Sequence, residues 1–367
     1  MIKRFGWILL FLVVATVARG QEDEEHLFRT DTLEVNKKVQ IIGLPLLFYT
    51  PETSFGGGGG MQLFFNNQRN LYNNRVSNLF ASAIYTVNRQ LSINLKPQFY
   101  FFDGTMYLEG DFLYRIYPNS FWGVGGNTPE QDEERYNMET FSVRIALVNR
   151  IPPSLNFGFE YQYENHVMLE VAEGGLLETA GVVGADGART SGLSFVLDVD
   201  TRDNIYSTLG GTFLSFKGGF SARTFGATHA YNKYLIDLRK YIVIAGKHTL
   251  ATQAYLQSVA GNVPFQSMSL LGGPERNRGY FKGRYMDRLY VLLQAEMRLR
   301  VWSRLHINGF AALGQISNEG LFMYPKFSGG VGLRFQPLKS NPTLIRFDFG
   351  VNQYGGTGVY FGVNEVF

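Results

Sequence analysis

One stretch of the chain, residues 271–288, has residue types and spacing that could do chemistry. It reads LGGPERNRGYFKGRYMDR, and its cations are Arg276, Arg278, Lys282, Arg284 and Arg288. Guanidinium groups donate paired hydrogen bonds to carboxylates and phosphates, so this segment could bind acidic side chains or lipid phosphates. A loop that only joined two strands would need far fewer residues.

Enzymatic and metal-based chemistry has little support in the rest of the sequence. The five histidines are His26, His166, His229, His248 and His306. None has a metal-ligating neighbour at close spacing, and only His229 is a candidate for a lipid-hydrolase site, which would also need a serine and an orienting group. The absence of cysteine excludes disulfides and thiolate metal sites. We therefore expect no catalytic residues, metal or cofactor, and no enzyme.

Composition narrows the class of protein. The 367 residues carry a net charge of only +3, and 15% are aromatic. These values suit neither a disordered chain nor a helical membrane protein, and they give no reason to expect a nucleic-acid partner.

The N-terminus predicts export. Lys3 and Arg4 precede an apolar run, and Ala18-Arg19-Gly20 offers a small-residue cleavage site. We assign residues 1–20 to a signal peptide. Residues 21–52 are too few to fold alone, and we predict a short periplasmic N-terminal segment there, either a tether or a plug.

Residues 53–367 show a period of two in hydrophobicity. Within 289–301 every odd position is apolar, whereas Gln294, Glu296, Arg298 and Arg300 fall on the even face. The polar faces carry many charges and the apolar faces are rich in aromatic residues, which favours a transmembrane β-barrel with a polar lumen. A water-soluble sandwich or propeller is the alternative.

The alternation predicts sixteen antiparallel strands, an even number that suits a bacterial outer-membrane barrel. They lie at 53–66, 76–87, 90–102, 106–116, 119–127, 135–149, 154–166, 190–201, 210–222, 229–243, 248–261, 288–301, 304–316, 325–337, 342–353 and 357–367. Short connections such as 88–90 then fall on the periplasmic side. Longer ones, such as 67–75 and 262–287, fall outside, which makes residues 262–287 the sixth extracellular loop.

Two motifs resemble those of the outer-membrane assembly-factor superfamily, the BamA/TamA family or bacterial surface antigen barrels. Arg278-Gly279-Tyr280 resembles its sixth-loop signature. A turn with Asp200, Arg202, Asp203 and Asn204 resembles a periplasmic signature, and residues 121–125 (FWGVG) a weaker landmark.

The resemblance implies that the sixth loop folds into the lumen and that Arg278 meets acidic residues of the inner wall. The first acid is Glu296, which the alternation also turns inward. Ala312 stands where the family has a second acid, and Asp237, Asp348 or Glu160 could replace it.

The family's first and last strands meet at a seam that opens laterally. Here the first predicted strand contains Gly56, Gly57, Gly58, Gly59 and Gly60. The last contains Gly358, Gly362 and the terminal Phe367, which resembles a barrel recognition signal. Glu365 is expected on the outward face. Glycines weaken a strand, so this seam is expected to be the weakest.

The resemblance implies an outer-membrane factor that inserts or translocates protein or lipid. The 21–52 segment is too short for a POTRA domain of the family type. The expected partners are outer-membrane lipid and lipopolysaccharide, with a separate periplasmic protein or client barrel. A porin-like channel and a structural surface antigen are the alternatives.

Overall fold

The computed structural model describes residues 39–50, 54–65, 77–204, 207–320, 323–336 and 344–367. The predicted signal peptide and most of the predicted N-terminal segment lie outside these residues. The strands are β1 (Val39–Thr50), β2 (Ser54–Phe65), β3 (Ser77–Thr86), β4 (Leu91–Phe101), β5 (Met106–Phe121), β6 (Glu134–Ile151), β7 (Leu155–Glu170), β8 (Ala188–Asp200), β9 (Gly211–Ser221), β10 (Tyr231–Ile244), β11 (His248–Gly261), β12 (Ser269–Leu271), β13 (Tyr285–Asp287), β14 (Leu289–Arg300), β15 (Leu305–Ile316), β16 (Lys326–Phe335), β17 (Ile345–Asn352) and β18 (Thr357–Val363).

All strands except β12 and β13 form one sixteen-stranded antiparallel sheet in chain order. Strands β12 and β13 pair only with each other. In the part of the chain that the structure describes, one α-helix, α1 (Leu176–Thr179), and four 3₁₀ turns (Phe102–Gly104, Glu130–Asp132, Arg223–Phe225 and Phe265–Ser267) lie in connections. Within the ranges given above, no helix is long and apolar enough to cross a bilayer.

The two faces of the sheet follow the predicted alternation. On β14, Leu293 is 56% exposed, whereas Glu296 and its polar neighbours are buried. The apolar side chains thus point outward, where a barrel meets lipid, and the polar side chains point into a lumen. The predicted fold class is confirmed.

The count of sixteen strands is confirmed, but two of its members differ from the prediction. Strand β1 lies in the segment expected to be a tether or a plug, and β5 is one strand rather than two. Both regions contain a proline, Pro45 and Pro118, which favoured a break in the sequence pattern. The pairing explains why Pro118 is tolerated: Leu91, the first residue of β4, pairs with Ile116, so β5 beyond Ile116 pairs only with β6.

The extra first strand reverses the side assigned to the first connections. Antiparallel neighbours alternate direction, so β2 ends and β3 begins at the end of the sheet that carries the short turns. The connection 87–90 falls at the other end, with the long loops. From β5 onward the sides agree with the prediction.

The sheet is open between its first and last strands. Strands β1 and β18 approach each other, yet no hydrogen-bonded ladder joins their described residues. The glycines 56–60 lie in β2, where Gly56 pairs with Phe48 and Gly60 with Leu44. This corrects the predicted seam: its edges are β1 and β18, and the glycine run is one strand inside the edge.

The first strand can be tested by cross-linking, because the chain has no cysteine of its own. Gly43 pairs with Met61 across β1 and β2, and antiparallel partners have Cα atoms about 4.5–5.5 Å apart, within disulfide range. We expect Gly43→Cys with Met61→Cys to cross-link in the folded protein. Met61→Cys with Val359→Cys is the control, and its cross-linking instead would show that β2 is the edge.

Candidate functional site

Loop six, residues 262–288, enters the lumen from the end of the sheet that carries the long loops. Its base is the β12–β13 hairpin, in which Leu271 pairs with Tyr285. Between these strands the backbone has positive φ at Gly272, Gly273, Asn277, Gly279 and Gly283. These turns fold the tip back on itself and deliver the Arg-Gly-Tyr motif to the inner wall.

Arg278 makes the central contacts of the site. Its Nη2 donates to Glu296 Oε2 at 2.6 Å, and its Nη1 donates to Asp348 Oδ2 at 2.7 Å. The guanidinium also stacks on Phe310, 3.5 Å from the ring centroid. The Arg278 side chain is 1% exposed and both carboxylates are fully buried. Each charge-assisted bond contributes about 1.5–3 kcal/mol, and the aromatic face adds a cation–π contact.

Gly279 allows the loop backbone to touch the wall. Its φ is +109°, and a Cβ there would lie 2.7 Å from the carbonyl carbon of Val351. Its N–H donates to the Tyr360 hydroxyl at 2.9 Å, and its carbonyl accepts from Asn352 Nδ2 at 2.7 Å. Glycine is required here by both conformation and space.

Asn277 and Tyr280, on either side of Arg278 and Gly279, hold the tip of loop six against the wall. Asn277 is fully buried; its Nδ2 donates to the Lys326 carbonyl at 3.0 Å, and its Oδ1 accepts from the Tyr290 hydroxyl at 3.0 Å. The Tyr280 hydroxyl donates to the Phe327 carbonyl at 3.3 Å. The sequence motif predicted Tyr280 but missed Asn277, whose positive φ is a property of the folded loop.

Asp348 of β17 is the second carboxylate of the anchor. Ala312, where the family pattern has that acid, packs instead in a buried apolar cluster with Leu271, Tyr280 and Leu292. The other two candidates have different partners. Asp237 accepts from Arg239 and Gln253, and Glu160 accepts from Lys217 at 3.1 Å.

A wider charged cluster surrounds the two carboxylates of the anchor. Glu296 Oε1 accepts from Arg298 Nε at 3.0 Å and from Asn308 Nδ2 at 2.9 Å. Asp348 Oδ1 accepts from Arg334 Nη1 at 2.6 Å, and Arg346 lies 3.7 Å from Asp348.

Glu365 belongs to this cluster. Its Oε2 accepts from Arg334 Nε at 2.7 Å and from Asn308 Nδ2 at 3.1 Å. The expectation that it faces outward is wrong. Strand β18 ends at Val363, and Asn364 has a φ of +64°, so the alternation breaks there and the chain turns inward.

The periplasmic-turn motif is a self-contained turn. Arg202 donates twice to Asp200, at 2.9 and 2.8 Å, and lies over the Phe213 ring. The Asp203 carboxylate accepts from the Leu209 N–H at 3.0 Å, and Asn204 Oδ1 accepts from the Ser207 N–H at 3.0 Å. These contacts stabilise the connection between β8 and β9, on the opposite side of the membrane from loop six.

Other loops pack on loop six near the mouth of the lumen. Trp122, in the 121–125 landmark, stacks edge-on with Phe281 at 5.5 Å, and Arg284 donates to the Thr128 carbonyl at 2.9 Å. Phe121, Leu177, Phe265 and Met286 share one buried cluster with residues of β6. Three connections, 122–133, 171–187 and loop six, therefore meet over the mouth.

The described residues contain no group of three or more histidine, aspartate or glutamate side chains that could hold a metal. His229 lies in the connection before β10, where Thr228 Oγ1 is 2.8 Å from its Nδ1. Partial burial and the nearby charge of Arg223 lower the pKa of His229.

Removing the Arg278 side chain should release the loop tip. We expect Arg278→Ala to lower the free energy of unfolding by about 3–5 kcal/mol, because it leaves buried carboxylates without their partner, and to raise single-channel conductance. The matched control is Arg276→Ala, since Arg276 stacks on Tyr255 and does not bond to the wall carboxylates. Urea titration and planar-bilayer recording are the measurements, and equal effects of the two variants would contradict the anchor.

Solved structures with the same fold include BamA from Haemophilus ducreyi lacking POTRA domains 1-3, with a TM-score of 0.61 at 14% identity, covering 89% of this chain and 70% of that one. CdiB from Acinetobacter baumannii gives 0.58 at 14% identity, and CdiB from Escherichia coli 0.59 at 13%. Each covers 89% of this chain, which spans 60% and 62% of those two proteins.

No curated protein matches the chain by sequence, and the described residues contain no POTRA-like region. The similar folds and the matched family point to the bacterial outer membrane. The Omp85 superfamily domain matches residues 57–367. The chain therefore belongs to the Omp85 superfamily.

Proposed function

We propose that the chain assists the assembly or export of protein, or of lipid, at the outer membrane, and that it does so without catalysing a reaction. The observation that carries this proposal is the boundary between β1 and β18, whose described residues no hydrogen-bonded ladder joins. Backbone N–H and C=O groups at such an edge can pair with an incoming strand.

Inside a membrane, an open boundary between two strands is costly in free energy. In lipid, each unsatisfied backbone group costs several kcal/mol, so two free edges must pair with each other or with another chain. Proline at position 45 removes one donor from β1, which weakens its pairing and suits an edge that opens. A client strand that adds to either edge would satisfy these groups.

Loop six argues for this role over a passive channel. It fills the part of the lumen beside β14–β18 and packs with the other long loops over the mouth. An open space of about 520 Å³ remains inside, lined by polar side chains of β2 to β9 that include Lys96, Asp111, Arg144 and Lys217. That space supports the porin-like alternative, which a large steady conductance of the intact protein would favour.

The partners proposed are a separate periplasmic protein or client barrel, together with lipopolysaccharide and outer-membrane lipid. Omp85 family members such as BamA and CdiB work with partner proteins and with the outer membrane. Within the predicted N-terminal segment, residues 21–38, which precede β1, are the proposed contact for a periplasmic partner.

Depletion of the protein tests the assembly role directly. We expect the abundance of one or more other barrels or exported proteins in the outer membrane to fall, as measured by quantitative proteomics of isolated membranes. Re-expression of the parent chain should restore them. Unchanged levels of every other outer-membrane protein would refute an assembly or export role.

Locking the boundary tests the part played by the free edges. We expect cysteine pairs that join position 41 or 43 of β1 to position 357, 359 or 361 of β18 to abolish the activity found by depletion, and reduction to restore it. The control lock is Gly43→Cys with Met61→Cys, which joins β1 to β2 and leaves the boundary free. Full activity of the locked β1–β18 protein would mean that the boundary has no role.

A further inference from the structure

The last four residues, 364–367, form a tail inside the barrel. Asn364 turns the chain with a φ of +64°, and its N–H donates to the Leu344 carbonyl at 2.7 Å. Beyond it Phe367 is 6% exposed and packs with Tyr241 and Ala251 on the inner wall. Ala251 pairs with Glu296 in the sheet, so the tail ends beside the anchor of loop six.

The wall binds two residues of the tail. Arg298 Nη2 donates to the Phe367 backbone oxygen at 2.6 Å, and its guanidinium lies 5.5 Å from the Phe367 ring centroid. Arg334 Nε and Asn308 Nδ2 donate to Glu365 at 2.7 and 3.1 Å. The wall thus contacts the ring and backbone oxygen of Phe367 and the carboxylate of Glu365.

The tail brings the charges of the cluster closer to balance. Four guanidinium groups, those of Arg278, Arg298, Arg334 and Arg346, face two wall carboxylates, Glu296 and Asp348. The tail supplies a third carboxylate, that of Glu365, and the Phe367 backbone oxygen accepts a further bond from Arg298. Unpaired charges at buried positions are costly, so the seated tail stabilises the whole cluster.

The tail and loop six are linked through shared partners. Glu296 binds Arg278 of the loop through one oxygen and Arg298, which holds Phe367, through the other. Asp348 likewise binds Arg278 and Arg334, which holds Glu365. Withdrawal of the tail leaves Arg298 and Arg334 uncompensated beside Arg278, and their repulsion weakens the seat of the loop.

We propose that Arg298, Arg334 and Asn308 form a receptor for the chain's own segment 364–367, and that the seated tail holds loop six in the lumen. Because the tail continues β18, release of the tail also frees the end of an edge strand. The receptor does not depend on the proposed function, since purified protein suffices to test it.

The reporter is a single cysteine at Ala312, which the loop covers, in a chain with no other cysteine. Its maleimide labelling rate measures how often loop six leaves the wall. In this background we expect Glu365→Gln to raise the rate about tenfold, as the loss of one charge-assisted bond implies. The matched control, Glu160→Gln, removes a buried lumen carboxylate that bonds to Lys217 instead and should leave the rate unchanged.

Deletion of residues 364–367 should raise the rate further. The synthetic peptide Asn-Glu-Val-Phe should then lower it, and the peptide Asn-Gln-Val-Phe should not. Heat-modifiable migration on gels confirms that each variant is folded, and Glu365→Gln carries the test if the deletion does not fold. An unchanged rate in folded Glu365→Gln, or equal protection by the glutamine peptide, would overturn the proposal.

Discussion

Charge neutrality inside the barrel is the constraint on which the rest of the structure depends. The inner wall of β14 to β17 carries three buried arginines that cannot lose their protons, so each needs a carboxylate within reach. Glu296 and Asp348 satisfy part of this need and also hold Arg278 of loop six. The positions of the loop tip and of the C-terminal tail follow from the same requirement.

The three residues of the Arg-Gly-Tyr motif depend on one another for their contacts with the wall. Arg278 provides most of the attraction, but its reach depends on the loop backbone lying against β17, which only glycine at position 279 permits. Gly350 is the matching position on the wall: a Cβ there would lie 2.9 Å from the Gly279 nitrogen. Tyr280 then fills the space between the loop and β16.

The sequence alone predicted those features that depend on local pattern. Alternation predicted the strands of the large sheet except β1 and the full extent of β5, and it turned Glu296 inward. The motif selected Arg278 as the partner of Glu296. Strand β1 and the continuity of β5 were missed because Pro45 and Pro118 resemble breaks. Only the strand pairing shows that Pro45 lies in the edge strand β1 and that Pro118 lies in the part of β5 that β4 does not reach.

The contacts between distant segments could not be predicted for a different reason. Asp348 lies on β17, three strands away from Glu296 on β14. Both carboxylates can reach Arg278 only because the sheet curves. Glu365 changes face because of a single positive φ at Asn364, which no alternation records. Alternation therefore fails at the point where a strand ends.

The location of the anchors also determines which side of the boundary is held. Loop six contacts β14 through Glu296, β17 through Asp348 and Asn352, and β18 through Tyr360. None of these residues belongs to β1 or β2, so among the described strands these bonds hold the β18 edge and not the β1 edge. Separation of the two edges would break none of the loop's bonds to the wall. The boundary can therefore open while loop six stays seated, unless the tail at the end of β18 withdraws first.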